Sequence, residues 1–243
     1  MFRCSLMPSF VGRSALPRSY GTWQGWVQTF ALVAMMLALA VAMRVSVAAA
    51  NDRPVRIVVL GDSLTAGLGL RADETFSVKL ERALRAKGLA VEVANAGVSG
   101  DTASNGLARL DWSVPEGTDA VIVELGANDM LRGINPKVTR QALAEIVRRL
   151  AVRHMAVLLA GMRAAPNLGS DYGRDFEAIY AELAARNGLL LYPFFLDGVA
   201  GEAGLNQRDG LHPTAAGVER IVAGILPKTE ELLARVRDRK GGN

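Results

Sequence analysis

Short apolar runs rich in β-forming residues alternate with segments of helical period along most of this 243-residue chain. The runs are Val55–Leu60, Val91–Asn95, Ala120–Leu125, Ala156–Ala160 and Leu189–Tyr192. Parallel strands need long crossover connections, and strands that are buried on both faces read as continuous apolar runs. The pattern therefore predicts an α/β domain with a five-stranded parallel sheet that helices cover on two sides.

Segments between and after these runs place apolar residues on one helical face. They are Glu74–Lys87, Pro136–Leu150 with Asn135 as its N-cap, Asp175–Arg186, and two closing helices, Pro213–Leu226 and Lys228–Val236. Gly88 and Gly188 stand just beyond two of these segments, where glycine commonly ends a helix. Because neither an internal repeat nor a linker divides this part of the chain, residues 51–243 are predicted to form a single domain.

The first 50 residues differ in composition from the rest of the chain. Their only charged side chains are four arginines, and the uninterrupted apolar run Phe30–Met43 precedes the small residues Ala48-Ala49-Ala50. A basic leader, an apolar core of about 7–15 residues and a small-residue end are typical of a secretory signal peptide. We therefore expect cleavage after Ala50 and a periplasmic or secreted protein. The alternative is a retained membrane anchor, but Arg44 ends the run before the roughly 20 residues that a spanning helix needs.

Removal of this leader changes the charge balance of the chain. The whole chain has 28 basic and 24 acidic residues, and losing the four arginines leaves 24 of each. A nucleic-acid surface needs clustered positive charge, so none is predicted. The only cysteine, Cys4, also lies in the leader. The remaining chain therefore has no disulfide, and no cluster of histidine, cysteine or carboxylate residues has the spacing of a metal site.

Polar or glycine-rich segments follow three of the predicted strands. They are Gly61-Asp62-Ser63, Asn95-Ala96-Gly97 and Gly126–Asp129. In open parallel sheets, ligands bind outside the carboxyl ends of the strands, so these segments are expected to meet at one crevice. There the backbone N–H groups of Ser63 and Gly97, with the Asn128 amide, could donate to the oxyanion of an acyl-transfer reaction. Glycine at 97 would let a substrate approach the backbone closely.

Ser63 and the pair formed by Asp209 and His212 supply the parts of a nucleophilic hydrolase. A serine needs a base to take its proton and a third group to orient that base. Asp209 and His212 are three residues apart, so that one short loop or helix start can carry both. The other histidine, His154, falls between a helix and a strand and is interpreted as structural or solvated. Asp62 is expected to bond the backbone of its own loop rather than take part in the chemistry.

The chain resembles the Gly-Asp-Ser-Leu esterases of the SGNH hydrolase family. The resemblance rests on Gly61–Leu64, Gly97, Asn128 and Asp209–His212, and it covers Arg56 to about Leu226. It implies a flavodoxin-like three-layer α/β/α fold and a triad of Ser63, His212 and Asp209 without a metal or other cofactor. It also implies oxyanion donors at Ser63, Gly97 and Asn128, and a loop, Asp101–Gly106, that borders the acyl site and moves on substrate binding.

Within that family the chain is most similar to bacterial periplasmic enzymes of the thioesterase I, lysophospholipase or arylesterase type. The expected activity is hydrolysis of acyl esters and thioesters, small-molecule substrates, through an acyl-enzyme. Two alternatives remain open at this stage. The same motifs could serve a carbohydrate or cell-wall O-acetyl esterase, and a non-catalytic flavodoxin-like binding or signalling domain could use Asp62 instead.

Overall fold

Five strands form one parallel sheet in a computed structural model of the chain, which describes residues 34–36 and 53–241. The strands are β1 (Val55–Gly61), β2 (Val91–Gly97), β3 (Ala120–Glu124), β4 (Ala156–Ala160) and β5 (Leu190–Tyr192). All neighbours pair in parallel, in the order β2-β1-β3-β4-β5. The predicted five-stranded parallel sheet is confirmed, and its order is the one found in flavodoxin-like folds.

The strand order reverses between β1 and β3. This switch point lies at the carboxyl ends of the strands, where the three polar segments stand. At the end of β1, Gly61 pairs with Gly97 of β2 on one side and with Glu124 of β3 on the other. Connections on either side of a switch point run in opposite directions and leave a crevice outside the strand ends. The segments that follow Gly61, Gly97 and Glu124 therefore surround a common crevice.

Helices connect the strands and cover the sheet. They are α1 (Ser63–Ala66), α2 (Phe76–Ala86), α3 (Ala103–Ala108), α4 (Leu110–Ser113), α5 (Ala127–Leu131), α6 (Pro136–Val152), α7 (Ser170–Asn187) and α8 (Ala215–Gly241), with single 3₁₀ turns at Ala72–Glu74 and Pro166–Leu168. Helix α2 packs on α8, whereas α6 packs on α3 and α7. Every residue of β3 is buried, so the two groups of helices enclose the sheet on both faces.

The predicted closing helices, Pro213–Leu226 and Lys228–Val236, are wrong as separate elements. The structure has one helix, α8, with Pro227 inside it. Proline removes a hydrogen bond to the carbonyl four residues earlier, that of Ala223. Both Pro227 and Ala223 are exposed, so water can reach that carbonyl. The helix continues because its buried face is apolar before and after the proline, from Ile221 to Val236.

The predicted leader, residues 1–50, lies outside the described residues except for residues 34–36. From Pro54 onward the described chain forms one compact unit. Across the ranges 34–36 and 53–241, no helix combines the length and the apolar character that crossing a membrane requires.

Candidate active site

Ser63 stands at the first position of α1, directly after β1. The Asp62 side chain caps this helix by accepting a hydrogen bond from the Leu64 N–H at 3.0 Å. Gly67, in the left-handed conformation, ends the helix after a single turn. This short helix holds Ser63 against the end of the sheet, with 8% of its surface exposed. Its Oγ lies 2.8 Å from Nε2 of His212, which comes from a segment 149 residues further along the chain.

The loop that carries His212 is organised by Asp209. One oxygen of Asp209 accepts hydrogen bonds from the backbone N–H groups of Leu211 and His212, and the other lies 2.7 Å from His212 Nδ1. The hydrogen bonds from the His212 and Leu211 backbone, followed by that from the imidazole, lower the pKa of Asp209 to about 2. Asp209 is therefore ionised at neutral pH and favours the tautomer that carries its proton on Nδ1. That tautomer leaves Nε2 free to accept the Ser63 proton.

Gln207 fastens this loop to the helix that carries the serine. Its side-chain amide donates to the carbonyl of Leu68 at 2.7 Å, and its backbone N–H donates to the carbonyl of His212 at 2.7 Å. No sequence pattern indicated this role, because a glutamine in a loop is not distinctive. Gln207 thus connects the loop that carries His212 to the chain that follows the serine's helix.

Asn128 lies in α5, the first turn after β3, and its amide nitrogen makes two hydrogen bonds. One goes to Asp62 Oδ2 at 3.1 Å and the other to the Asp101 carbonyl at 3.0 Å. The amide therefore reaches the serine's own turn, as the strand ends suggested. In this state both of its hydrogens are engaged by protein atoms.

Gly97 is the last residue of β2, and its N–H donates to the Asn95 side chain at 2.9 Å. We expected the missing Cβ to admit a substrate, but it is the backbone of α1 that approaches. A Cβ at Gly97 would lie 2.8 Å from both Ala66 Cα and the Asp62 carbonyl oxygen, and still closer to Ala66 N. The glycine is therefore required by the packing of the serine's helix against β2.

Asp62 bonds its own loop, as expected, but it also reaches Asn128, which the sequence did not suggest. It is completely buried, and burial raises its pKa to about 6 despite the hydrogen bonds from Leu64 and Asn128. The carboxylate is thus enclosed between the serine's helix and α5. No free Asp62 side chain remains for the binding role considered above.

Glu124, at the end of β3, is a second buried carboxyl group that our sequence analysis missed. Its Oε2 accepts a hydrogen bond from Thr65 Oγ1 at 2.7 Å and one from the Asp62 N–H at 3.4 Å. Its Oε1 is buried without a hydrogen-bond partner in the described part of the chain. Burial, with the neighbouring Asp62 charge, raises the pKa of Glu124 well above its usual range. A charged residue inside the apolar run Ala120–Leu125 was the available signal.

An ion pair between Asp101 and Arg109 holds the segment after β2. The Arg109 Nε lies 2.5 Å from Asp101 Oδ2, and Nη2 donates to the Gly61 carbonyl at 2.8 Å. The segment Asp101–Gly106, which the resemblance implied to be a loop, is largely helical: Thr102 caps α3, which begins at Ala103. The Arg109 contacts therefore connect this segment to the end of β1, immediately before Asp62.

His154 lies away from these groups. It is exposed between α6 and β4, where its backbone has a φ of 55°. In residues 34–36 and 53–241, no group of three or more histidine, cysteine or carboxylate side chains could hold a metal ion. The structure thus brings Ser63, His212 and Asp209 into hydrogen-bond contact, with Asn128 joined to the serine's turn through Asp62.

Comparison with known proteins gives consistent matches. A model of the GDSL-like Lipase/Acylhydrolase family matches residues 59–220. Esterase TesA of Pseudomonas aeruginosa is 39% identical over 178 residues, 73% of this chain and 89% of that protein. Thioesterase 1/protease 1/lysophospholipase L1 of Escherichia coli is 38% identical over 158 residues, 65% of this chain and 74% of that protein. The crystal structure of AlinE4, an SGNH-hydrolase family esterase, is 44% identical with a TM-score of 0.63, and the match covers 74% of this chain and 97% of that one.

Proposed function

This chain belongs to the GDSL-like lipase/acylhydrolase family and is an esterase of that family, and on this premise we propose that Ser63, His212 and Asp209 are its catalytic triad. The observation that supports the assignment most directly is the unbroken line of contacts. Ser63 Oγ lies 2.8 Å from His212 Nε2, and His212 Nδ1 lies 2.7 Å from Asp209 Oδ2. Both distances are those of hydrogen bonds.

The reaction proceeds in two steps. His212 Nε2 takes the Ser63 proton as Oγ attacks the acyl carbonyl carbon, and Asp209 stabilises the resulting imidazolium. The bond from carbon to the leaving oxygen or sulfur then breaks, and His212 gives its proton to that leaving group. Water, deprotonated by His212, attacks the acyl-enzyme and releases the acid and Ser63.

The oxyanion that forms in each step needs donors. We assign this role to the backbone N–H groups of Ser63 and Gly97 and to the Asn128 amide. Because Asn128 has only two amide hydrogens, the one bonded to the Asp101 carbonyl is exchanged for the oxyanion, while the one on Asp62 stays in place. In the same way, the Gly97 N–H gives up its hydrogen bond to the Asn95 side chain and donates to the oxyanion instead.

Exposed apolar side chains next to each part of the site favour acyl chains as substrates. Leu68 follows the serine's helix, Val98 follows Gly97, Leu131 ends α5, and Leu211 precedes His212. These four side chains are 39–50% exposed. They offer apolar surface to a chain of methylenes, each worth about 0.8 kcal/mol when buried. This surface favours acyl esters and thioesters over the acetyl groups of carbohydrates.

A series of p-nitrophenyl esters from acetate to octanoate tests this substrate class, together with one acyl-thioester. We expect kcat/KM to extend well beyond acetate. Leu131→Ser should lower kcat/KM for octanoate several-fold more than for acetate. Val152→Ser is the matched control, because Val152 is also exposed but ends α6 away from the site. A preference for acetate with no detectable octanoate hydrolysis would favour the O-acetyl esterase alternative.

We further propose that the first 50 residues direct export and that the enzyme acts outside the cytoplasm. The support is the basic leader, the apolar run Phe30–Met43 and the alanines at 48–50.

A further inference from the structure

The two oxygens of the Asp62 carboxylate bond to two different parts of the proposed reaction centre. Oδ1 accepts the Leu64 N–H and so holds the helix that carries Ser63. Oδ2 accepts a hydrogen of the Asn128 amide. Asp62 is completely buried, so water does not compete for either oxygen. One side chain thus connects the nucleophile's helix to the proposed oxyanion donor.

The contact with Asn128 determines which end of that amide faces the reacting carbonyl. The two ends of an asparagine amide have nearly the same shape, but only the nitrogen can donate to an oxyanion. A carboxylate only accepts hydrogen bonds, so Asp62 selects the nitrogen end. The Asp101 carbonyl also selects the nitrogen end. However, the amide hydrogen that it accepts is the one that would move to the oxyanion. Asp62 is then the partner that remains bonded to the amide in the transition state.

Capping the helix does not by itself require a buried carboxylate at this position. Serine, threonine and asparagine cap helices about as well as aspartate. Burial destabilises the charged form of a carboxyl group. Among residues 34–36 and 53–241, no arginine or lysine is hydrogen-bonded to Asp62, and Arg109 pairs with Asp101 instead. Capping alone therefore does not explain why position 62 carries a carboxylate, which can only accept hydrogen bonds.

We infer that Asp62 is a positioning residue for the ester hydrolysis, which orients the Asn128 amide so that its nitrogen faces the developing oxyanion. The inference rests on the proposed role of Asn128. In Asp62→Asn the new side chain can cap Leu64 through its oxygen, but it then presents an NH₂ group to Asn128. Two donors would face each other, and the Asn128 amide would have to turn its oxygen towards residue 62. Its nitrogen would then leave the carbonyl site.

The test is a double-mutant cycle on kcat with p-nitrophenyl butyrate. Asn128→Ala and Asp62→Asn should each lower kcat by about 10²–10³-fold, the usual effect of losing one oxyanion donor, and change KM only a few-fold. The double variant should be no slower than Asn128→Ala alone, because the interaction has already been lost. Asp62→Ser, which keeps a cap but cannot reach Asn128, should lower kcat as much as Asp62→Asn does.

Asp129→Asn is the matched control. Asp129 is equally buried beside Asn128, and its oxygens accept from Ala103 N–H and Thr139 Oγ1. The threonine hydroxyl can turn to accept from the asparagine nitrogen, while the asparagine oxygen still accepts from the Ala103 N–H. This variant should keep kcat within about two- to three-fold of the wild type.

The outcomes separate the inference from the proposed function. Near-wild-type kcat in Asn128→Ala would overturn the proposed oxyanion role. A normal kcat in Asp62→Asn beside an impaired Asn128→Ala would overturn the inference alone. Losses that multiply in the double variant would also overturn it, since they would show independent effects. Loss of the native far-UV circular dichroism in both Asp62 variants would assign Asp62 to folding and overturn it as well.

Discussion

Gly97→Ala should damage catalysis while leaving every proposed catalytic group chemically intact. Alanine keeps the backbone N–H that we assign to the oxyanion hole and adds only a methyl group. That methyl would lie 2.8 Å from Ala66 Cα and the Asp62 carbonyl oxygen, where ordinary contacts begin at 3.4 Å. All these atoms belong to backbone, so no side chain can rotate away. The helix that carries Ser63 must therefore retreat from β2 by roughly half an ångström or more.

The size of the effect follows from that displacement. Misplacing reacting groups by 1 Å can cost about 10²-fold in rate, so we expect kcat to fall roughly 10- to 100-fold. Overpacking should also lower the free energy of unfolding by about 1–3 kcal/mol. The assays are kcat and KM with p-nitrophenyl butyrate and urea unfolding followed by circular dichroism.

Gly173→Ala is the control for this substitution. Gly173 lies in α7, and the one described neighbour outside its own helix that its added methyl would meet is the Ala164 Cβ, at 3.9 Å. It should keep kcat and gain up to about 1 kcal/mol, because alanine favours a helix more than glycine does. Wild-type kcat and stability in Gly97→Ala would refute the close packing of α1 on β2.

Three further expectations concern charge and processing. Glu124→Gln should keep kcat. Its free energy of unfolding relative to wild type should rise with pH from about 4.5, because the pKa of Glu124 is raised in the native wild type. As Glu124 ionises in the unfolded chain, the native wild type becomes progressively less stable. The free energy of unfolding of Asp62→Asn relative to wild type should likewise rise between pH 3.8 and about 6, the ordinary and native pKa values of Asp62, by about 3 kcal/mol in total. A difference in urea unfolding that stays constant across this pH range would contradict this expectation. N-terminal sequencing of protein exported by a bacterial host should begin at Asn51, whereas full-length protein in alkaline-washed membranes would contradict cleavage.

Most of the fold could be predicted from the sequence because strands buried on two faces have a strong local signature. The strand β4 was predicted at its observed bounds, Ala156–Ala160. The prediction for β2 ended at Asn95 because Ala96 and Gly97 resemble a loop, but both pair with β1. Helix α7 begins at Ser170, five residues earlier than predicted, since a stacked pair, Tyr172 and Phe176, holds its first turns.

The proposed catalytic groups were found because each stands in a distinctive local context. Ser63 follows a buried strand, and His212 is one of only two histidines. The supporting contacts were not found, because they join residues far apart in the chain. Asp62 and Asn128 are 66 positions apart, and Thr65 and Glu124 are 59 apart. Local patterns do not encode which polar side chains meet across a sheet.

Labelling with a fluorophosphonate tests most directly the claim that Ser63 is the activated nucleophile. The phosphorus is attacked by an activated serine, and the adduct can be located by peptide mass spectrometry. We expect one adduct, on Ser63, in the wild type, none at any site in Ser63→Ala, and labelling slowed by orders of magnitude in His212→Ala. Ester hydrolysis should be lost in parallel, while circular dichroism stays native. An adduct on another residue, or substantial hydrolysis by folded Ser63→Ala, would contradict the account.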